Sequence, residues 1–295
     1  FLGKKGIFFG LSLAVILAGF ITMGVYKMNT GDALNYSLEF KGGTATTVTF
    51  DKSYTLEEIN SEMVPLIEST TGSAVQIQTV QGSNEVIFKT GSLDVDQRQA
   101  LNQMFVENFG GDETLITSET ISSTISNEMK SDTILAVAVA IICMLIYIRF
   151  RFSDIRFGVS SIACLLHDVL VVITFYALAR VSVSNTFIAC LLTIVGYSIN
   201  ATIVVFDRVR ENMAVMTKKD DLQDVVNRSI TQTLSRSLFT SLTTLVMVGA
   251  LYIWGVTSIR DFALPLMVGI ICGAYSSVCI AGALWYVLRK KFAPK

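Results

Sequence analysis

Residues 181–206 read VSVSNTFIACLLTIVGYSINATIVVF, a run of 26 residues without a charged side chain. A helix needs about 20 mostly apolar residues to cross a lipid bilayer. Four further charge-free runs lie at 6–26, 133–148, 237–259 and 262–288. A sixth run, 157–179, is interrupted only by His167 and Asp168. The sequence therefore predicts a polytopic α-helical membrane protein with six transmembrane helices.

The composition argues against several other classes of protein. Of the 295 residues, 16% are charged and 52% are hydrophobic, whereas about a quarter of the residues of a soluble protein are charged. A soluble enzyme, a disordered chain and a basic nucleic-acid-binding protein are therefore disfavoured. The five cysteines lie in apolar runs, which indicates neither a disulfide framework nor a metal site. Because no nucleophile with its base and no phosphate loop is recognisable, we expect no catalytic residue, no cofactor and no nucleic-acid partner.

The charges divide between two parts of the chain. Residues 28–132 hold sixteen acidic and five basic residues, whereas the rest holds eight acidic and eighteen basic ones. Basic residues favour the cytoplasmic side of a membrane, and the first span follows Lys4 and Lys5 without a signal-peptide cleavage site. We therefore predict cytoplasmic N- and C-termini and a retained first helix. The predicted domains are transmembrane helix 1 at 1–27, an extracytoplasmic domain at 28–131 and a five-helix transmembrane domain at 132–295, a 1+5 arrangement.

The extracytoplasmic segment has the pattern of a small α+β domain. In chain order we predict a strand at 46–50, a helix behind the capping box Thr55–Glu58, a hairpin of 75–77 and 86–88 that turns at 82–84, a helix at 94–108 and a strand at 114–120. The order β-α-β-β-α-β indicates a ferredoxin-like domain. Farther along, residues 207–235 carry an apolar stripe formed by Leu222, Val226, Ile230 and Leu234. This stripe favours a helix on the cytoplasmic face of the membrane, with a solvated connector as the alternative.

Polar groups inside the predicted spans are candidates for function, because ionisable groups in a bilayer are costly. His167 and Asp168 lie on or beside a small polar seam of the third span, and Tyr197 shares a face of the fourth span with position 201. A stripe of small residues in the sixth span predicts close helix packing, and consists of Gly269, Gly273, Ser276 and Ser277. All of these polar faces can also be interpreted simply as packing surfaces between helices. Arg236 can also be interpreted as an ordinary flanking residue at a helix end.

Several motifs resemble the SecF family of the SecD/SecF group, within the resistance-nodulation-division superfamily. They are NYSLEFKGGT at 35–44, LHDV at 166–169, VGYSINATIVVFDRVREN at 195–212, NRSITQTLSRSLFTSLTT at 227–244 and IRDFALPLMVGIICGAYSS at 259–277. The first contains the extracytoplasmic motif residues Glu39, Phe40, Gly42 and Gly43, with Glu39 where the family usually has Asp. The resemblance covers essentially the whole chain.

The resemblance implies a role in protein export across the bacterial inner membrane. Members of the family pair with SecD and promote late steps of preprotein translocation, after the SecYEG channel and SecA, using the proton or sodium gradient. The implied partners are therefore SecD, SecYEG with SecA, the preprotein and membrane lipid. The implied ion-coupling positions are 201 and Arg236. The residues themselves add Tyr197, Asn200, His167 and Asp168 as ion-coupling candidates, whereas Gly196 is predicted to serve helix packing.

Position 201 departs from the family, because Ala201 stands where the family has an aspartate. An alanine can neither bind a proton nor balance Arg236. Three explanations remain open. The alanine is an engineered inactivating substitution, or the protein relies on the membrane carboxylate of SecD, or His167 and Asp168 supply the titratable group. A non-motor scaffold subunit of the translocon is therefore an alternative function, and half of a small-molecule exporter is a weaker one.

Overall fold

The computed structural model describes residues 1–80, 83–152, 154–217 and 220–291. The predicted turn residue Gly82 lies outside the described residues. The chain divides into unit 1, which comprises Phe1–Asn35 and Leu135–Lys295, and unit 2, which comprises Tyr36–Ile134.

Helix α1 (Lys5–Thr30) begins unit 1 after a single 3-10 turn at Leu2–Lys4. The elements that follow are β1 (Asn35–Tyr36), α2 (Leu38–Lys41), β2 (Gly43–Thr49), α3 (Leu56–Glu58), a π-helical segment (Ile59–Met63), α4 (Val64–Thr71), β3 (Gln76–Thr79), β4 (Glu85–Thr90), α5 (Val95–Phe109) and β5 (Thr117–Ile121). From β2 to β5 this order agrees with the predicted one, whereas β1 and α2 were not predicted.

The sheet of unit 2 has the strand order β3-β4-β2-β5, and all neighbouring strands are antiparallel. Alternate residues of β4 are buried, including Val86 and Phe88, because side chains of a strand point alternately to its two faces. The Phe88 ring stacks on Phe105 of α5, with ring centroids 4.7 Å apart. The sheet and helices therefore share one apolar core.

Local caps fix where the helices of unit 2 begin. Thr55 Oγ1 accepts a hydrogen bond from the Glu58 N–H while the Glu58 carboxylate accepts one from the Thr55 N–H, which confirms the predicted capping box. The hydrogen bonds from the Thr55 backbone and hydroxyl hold the pKa of Glu58 below its usual value. Asp94 and Gln97 form a second capping box at the start of α5. These polar residues therefore supply the partners that the first N–H groups of the helices lack.

The remaining elements are α6 (Ser123–Arg151), α7 (Ile155–Ala179), β6 (Ser182–Val183), α8 (Asn185–Ala214), α9 (Leu222–Trp254), α10 (Thr257–Tyr275), a π-helical segment (Ser276–Ala281) and α11 (Gly282–Lys291). Among the described residues, six helical stretches are long and apolar enough to cross a membrane. They are Leu2–Asn29, Ser123–Arg151, Ile155–Ala179, Asn185–Ala214, Leu222–Trp254 and Ile259–Lys291.

The prediction of a separate amphipathic helix over 207–235 is wrong. Its first residues continue α8, its last residues begin α9, and Thr217 closes a turn by donating from its N–H and hydroxyl to Asp220 at 2.8 Å. These hydrogen bonds also hold the pKa of Asp220 below its usual value. Val226 and Ile230 are fully buried in the apolar core of unit 1. The apolar stripe therefore packs against other helices of the protein.

Candidate functional site

Asp168 occupies the middle of α7, thirteen residues after its first residue and eleven before its last. Its side chain has no solvent-exposed surface. A charged aspartate at the centre of a membrane-spanning helix costs about 3 kcal/mol even on lenient scales. Such a residue is tolerated only where other groups of the protein compensate for its charge.

The Asp168 carboxylate accepts hydrogen bonds from four side chains. Its Oδ1 atom contacts His167 Nδ1 at 2.8 Å and Cys272 Sγ at 3.2 Å. Its Oδ2 atom contacts Ser276 Oγ at 2.8 Å and Ser198 Oγ over a short distance. We call these five residues the Asp168 network. Because they belong to α7, α8, α10 and the π-helical segment after α10, the network joins parts of three transmembrane helices.

Three side chains of this network, those of His167, Asp168 and Cys272, are of types that bind metal ions. Their ligand atoms all lie within 4.8 Å of one another. Ligands of one Zn²⁺ ion stand about 2.0–2.3 Å from it, and hence about 3.3–3.6 Å from each other in a tetrahedral site. The contacts of 2.8 Å and 3.2 Å at Asp168 Oδ1 are shorter. We therefore assign them as hydrogen bonds.

The π-helical segment Ser276–Ala281 begins at a residue of this network. A π turn inside a membrane helix leaves its backbone hydrogen bonds out of the regular α pattern, and such turns often coincide with functional sites. Ser276 was predicted to serve helix packing, and it also donates to the buried carboxylate. Its neighbour Ser277 is fully buried and donates to the Ala274 carbonyl.

Sequence reasoning identified His167 and Asp168 but missed two of their partners. Ser198 was not singled out within the motif that contains Tyr197, and Cys272 was interpreted as an apolar core residue. Both are buried and donate to Asp168. The signal that could have found them is the need of a buried carboxylate for donors.

Helices α8 and α9 pack against each other and run antiparallel. The hydrogen bonds that join them include those from Tyr197 to Ser241, from Arg208 to Gln232 and from Asn212 to Ser229. Tyr197 and Ala201 share a face because they are four residues apart. This register places Ala201 level with residues 237–240 of α9.

Two polar residues of α9 at or next to this level have no hydrogen-bond acceptor within the described residues. Ser237 is buried, and its Oγ atom has no hydrogen-bond partner within the described part of the chain. Arg236 is exposed, and within the same ranges no hydrogen bond or ion pair involves it. We call Ala201, Arg236 and Ser237 the Ala201 site. The alanine side chain cannot accept a hydrogen bond from either neighbour.

The predicted small-residue positions differ in their surroundings. A Cβ atom added at Gly269 would lie 2.3 Å from Ile194 Cδ1, and one at Gly273 would lie 3.4 Å from Ser198 Cβ. These two glycines allow α10 to pack closely on α8. Gly196 is exposed, and a Cβ atom there meets nothing within 4 Å. Gly196 thus makes no close packing contact with the described residues of this chain, and its predicted packing role stays a prediction.

Gly196 and Asn200 line an open groove between α6, α7 and α8. The groove has a volume of about 860 Å³, and its other lining residues are predominantly apolar. Asn200 is exposed. Near the C-terminal ends of α6 and α8, Arg151 forms an ion pair with Asp207, and both side chains remain about one-third exposed, at 27% and 32%. Asp207 is thus a partly solvated carboxylate, unlike Asp168.

The extracytoplasmic motif forms the turn that leads into β2. Glu39 accepts a hydrogen bond from the Ser37 hydroxyl at 2.9 Å, and Phe40 is buried. Gly42 and Gly43 have φ angles of 72° and 115°, a region that residues with a side chain rarely adopt. A Cβ atom at Gly43 would also lie 2.3 Å from the Thr90 carbonyl oxygen. The glycine pair is therefore required by the backbone of this turn.

Comparisons with known proteins agree with this architecture. A family model described as protein export membrane protein SecD/SecF, C-terminal, matches residues 101–291. The protein translocase subunit SecF of Acidaminococcus fermentans is 33% identical over 290 residues, which cover 97% of this chain and 95% of that protein. The protein translocase subunit SecDF of Bacillus subtilis is 35% identical over 287 residues, and the chain spans 37% of its length.

A solved structure gives the same result in three dimensions. The crystal structure of SecDF from Thermus thermophilus, a translocon-associated membrane protein, superposes with a TM-score of 0.81 at 36% sequence identity. The match covers 98% of this chain and 38% of that one. With six apolar helices of sufficient length, the chain is a multi-pass α-helical membrane protein. It belongs to the SecD/SecF family of protein export membrane proteins.

Proposed function

We propose that the chain is a SecF-type accessory subunit of the Sec protein-export machinery. The observation that carries this proposal is the near full-length correspondence with an SecF subunit, over 97% of this chain and 95% of its relative. In this role the chain promotes late steps of preprotein translocation with energy from the proton or sodium gradient. No part of this role requires a catalytic residue, an enzymatic activity or a cofactor.

SecD is the first proposed partner. This pairing is supported by a SecDF relative, of whose chain the matching part is 37%. In that relative the remaining part of SecDF is covalently joined to the SecF-like part. We further propose contacts with SecYEG and SecA, with the preprotein and with membrane lipid. The proposed location is the bacterial inner membrane.

The proposed topology places one span before the extracytoplasmic domain and five after it, with both termini in the cytoplasm. The domain boundaries remain 1–27, 28–131 and 132–295. We propose a ferredoxin-like class for the domain, supported by four antiparallel strands in the order β3-β4-β2-β5 and by the helices between them. The excess of acidic residues in 28–132 and of basic residues elsewhere supports the orientation.

A scaffold function without ion coupling is the second candidate, and the Ala201 site favours it. Arg236 has no ion pair within the described ranges, and Ala201 cannot titrate. A half-exporter of small molecules is a weaker candidate, because one domain of about a hundred residues is too small to enclose a drug-sized pocket alone.

Release of a preprotein from inverted membrane vesicles tests the motor function. The chain and SecD are supplied together, SecA-driven transport is stopped at a late stage, and release is measured with and without a protonophore. We expect release that depends on the chain and that the protonophore reduces. Release that depends on the chain but resists the protonophore, with sodium gradients also collapsed, would indicate a scaffold. Failure of the chain to co-purify with SecD or SecYEG would contradict both functions.

A further inference from the structure

We propose that His167 and Asp168 form a proton-exchange site, which takes up and releases one proton at the centre of the helical unit. This inference rests on the proposed ion-coupled function, since it names the group that would carry the ion in a chain with alanine at position 201. The charge of the pair then determines how firmly α8 and the π-helical segment after α10 are held to α7.

The first argument is the coupling of one carboxylate to several helices. Oδ2 of Asp168 accepts from Ser198 on α8 and from Ser276 at the start of the π-helical segment. Hydrogen bonds to a charged acceptor are about twice as strong as neutral ones. Loss of the negative charge therefore weakens contacts to both segments at once. A protonated carboxyl group also gains a donor, so at least one present donor must rotate to accept from it.

The second argument is the set of groups that face the pair. From α7 these are Cys164 and the two residues themselves, and from α10 they are Cys272 and Tyr275, whose ring centroid lies 6.1 Å from that of His167. Helix α8 contributes the neutral Ser198, and α1 contributes the neutral Ser12, which contacts the Tyr275 hydroxyl at 3.3 Å. Among the described residues that form a hydrogen bond with Asp168, only His167 can carry a positive charge.

The third argument concerns the kind of ion. Direct hydrogen bonds of 2.8 Å join Asp168 to both His167 and Ser276, a distance shorter than the spacing between two ligands of one metal ion. A proton needs no such space. On uptake, a water-borne proton binds to the Asp168 carboxylate, so that imidazole and carboxylate become imidazole and carboxylic acid, and the pair changes from one negative charge to none. On release the same proton returns to water, and no other bond changes.

The first experiment measures titration without reference to export. The purified full chain in lipid nanodiscs is followed by infrared difference spectroscopy of carboxyl and imidazole bands while the pH is varied. Asp168→Asn keeps the shape of the side chain and is expected to remove the titrating signal. Asp207→Asn, which changes a partly exposed carboxylate outside the network, is the matched control and is expected to retain it.

The proposal would be overturned if Asp168→Asn gave the same titrating signal as the parent chain. It would also be overturned if His167 and Asp168 kept one charge state over the whole pH range of the experiment. If Asp168→Asn does not fold, Asp168→Glu decides the matter. A carboxyl signal that persists with a changed midpoint supports the assignment, and an unchanged midpoint contradicts it. A signal that follows sodium concentration at constant pH would also contradict it, because it would assign the site to a metal ion.

The second experiment measures proton flux in proteoliposomes that contain the chain and SecD. We expect Asp168→Asn to lower export-dependent flux by at least about tenfold, Asp168→Glu to restore part of it, and Asp207→Asn to leave it unchanged. Equal flux in folded Asp168→Asn and in the parent chain would overturn the proposal. A parent chain that titrates at Asp168 but does not stimulate export would instead contradict the proposed function alone.

Discussion

The Asp168 network and the Ala201 site are two polar regions of the same helical unit, and they differ in completeness. In the Asp168 network, both carboxylate oxygens accept two hydrogen bonds each, and the carboxylate is fully buried. In the Ala201 site, the Ser237 hydroxyl is buried without a partner among the described residues, and Arg236 is exposed. One region has an acceptor with its donors, and the other has donors without an acceptor.

This difference shows where a buried charge is compensated within one chain. A carboxylate inside a bilayer needs partners on several helices, and the Asp168 network supplies them from α7, α8 and the end of α10. At the Ala201 site the expected carboxylate is absent while its neighbours remain. The first region should therefore resist change, and the second should accept a new acidic group.

The largest expected effect follows removal of the acceptor from the complete region. Asp168→Ala removes the shared acceptor of four donors, of which Ser276 keeps its contact with the Gly273 carbonyl oxygen at 3.3 Å. Hydrogen bonds in membrane proteins contribute about 0.6 kcal/mol each on average, whereas a buried donor that loses its acceptor costs about 1–3 kcal/mol. We expect a loss of about 3 kcal/mol in the free energy of unfolding, measured by denaturation in mixed micelles with circular dichroism.

Asp207→Ala is the matched control for that measurement. Its ion pair with Arg151 is about one-third exposed, and exposed pairs contribute about 0–1 kcal/mol. Equal losses for Asp168→Ala and Asp207→Ala would show that burial does not distinguish the two carboxylates, and would remove the basis of the comparison.

An intermediate effect is expected from two glycines that flank the two regions. Gly269 lies one turn before Cys272, and an added Cβ atom would overlap with the buried side chain of Ile194. Gly269→Ala should therefore destabilise the unit by about 1–3 kcal/mol through overpacking. Gly196→Ala places its methyl group in open space, and should stabilise the helix by up to about 1 kcal/mol. Thermal unfolding of the two variants in the same detergent compares them.

The sign of the change is the informative quantity here. Destabilisation by both substitutions would mean that Gly196 is also covered, and that the groove side of α8 is as tightly packed as the side facing α10. Stabilisation by both would show that α10 does not need a glycine to approach α8.

Local patterns were sufficient to predict much of this architecture. Apolar runs predicted six helices, and the Thr55–Glu58 spacing predicted a cap, because both depend on residues close in sequence. The apolar stripe from Leu222 to Leu234 predicted a membrane-surface helix, and this was wrong. Periodicity shows that one side of a helix is apolar, but it does not show whether lipid or protein covers that side.

The candidate site was less accessible to sequence reasoning. His167 and Asp168 stand out because they are ionisable groups in an apolar run. Ser198 and Cys272 do not stand out, since small polar residues occur in many membrane helices as packing residues. Their role depends on contacts between residues 30 and 104 positions apart, which a single sequence does not reveal.

The smallest expected change in stability tests the incomplete region by completing it. An aspartate introduced by Ala201→Asp costs about 3 kcal/mol in a membrane helix if it has no partner. Ser237 and Arg236 can offset most of this cost, because a hydrogen bond to a charged group contributes about 1.5–3 kcal/mol. We therefore expect the free energy of unfolding to change by less than about 1 kcal/mol, and export-dependent proton flux to increase.

Two matched variants identify the origin of any compensation in Ala201→Asp. Ala201→Asn has nearly the same shape without a charge and should satisfy Ser237 but leave flux unchanged. When Arg236→Ala is introduced into the Ala201→Asp variant, the free energy of unfolding should fall by most of the desolvation cost, because the new carboxylate then has no cation to pair with. If Ala201→Asp destabilises the chain by the full cost with and without Arg236, the two residues do not interact across α8 and α9. Equal flux in Ala201→Asp and the parent chain would show that the alanine does not limit ion coupling, which leaves the Asp168 network as the region of this chain where coupling can reside.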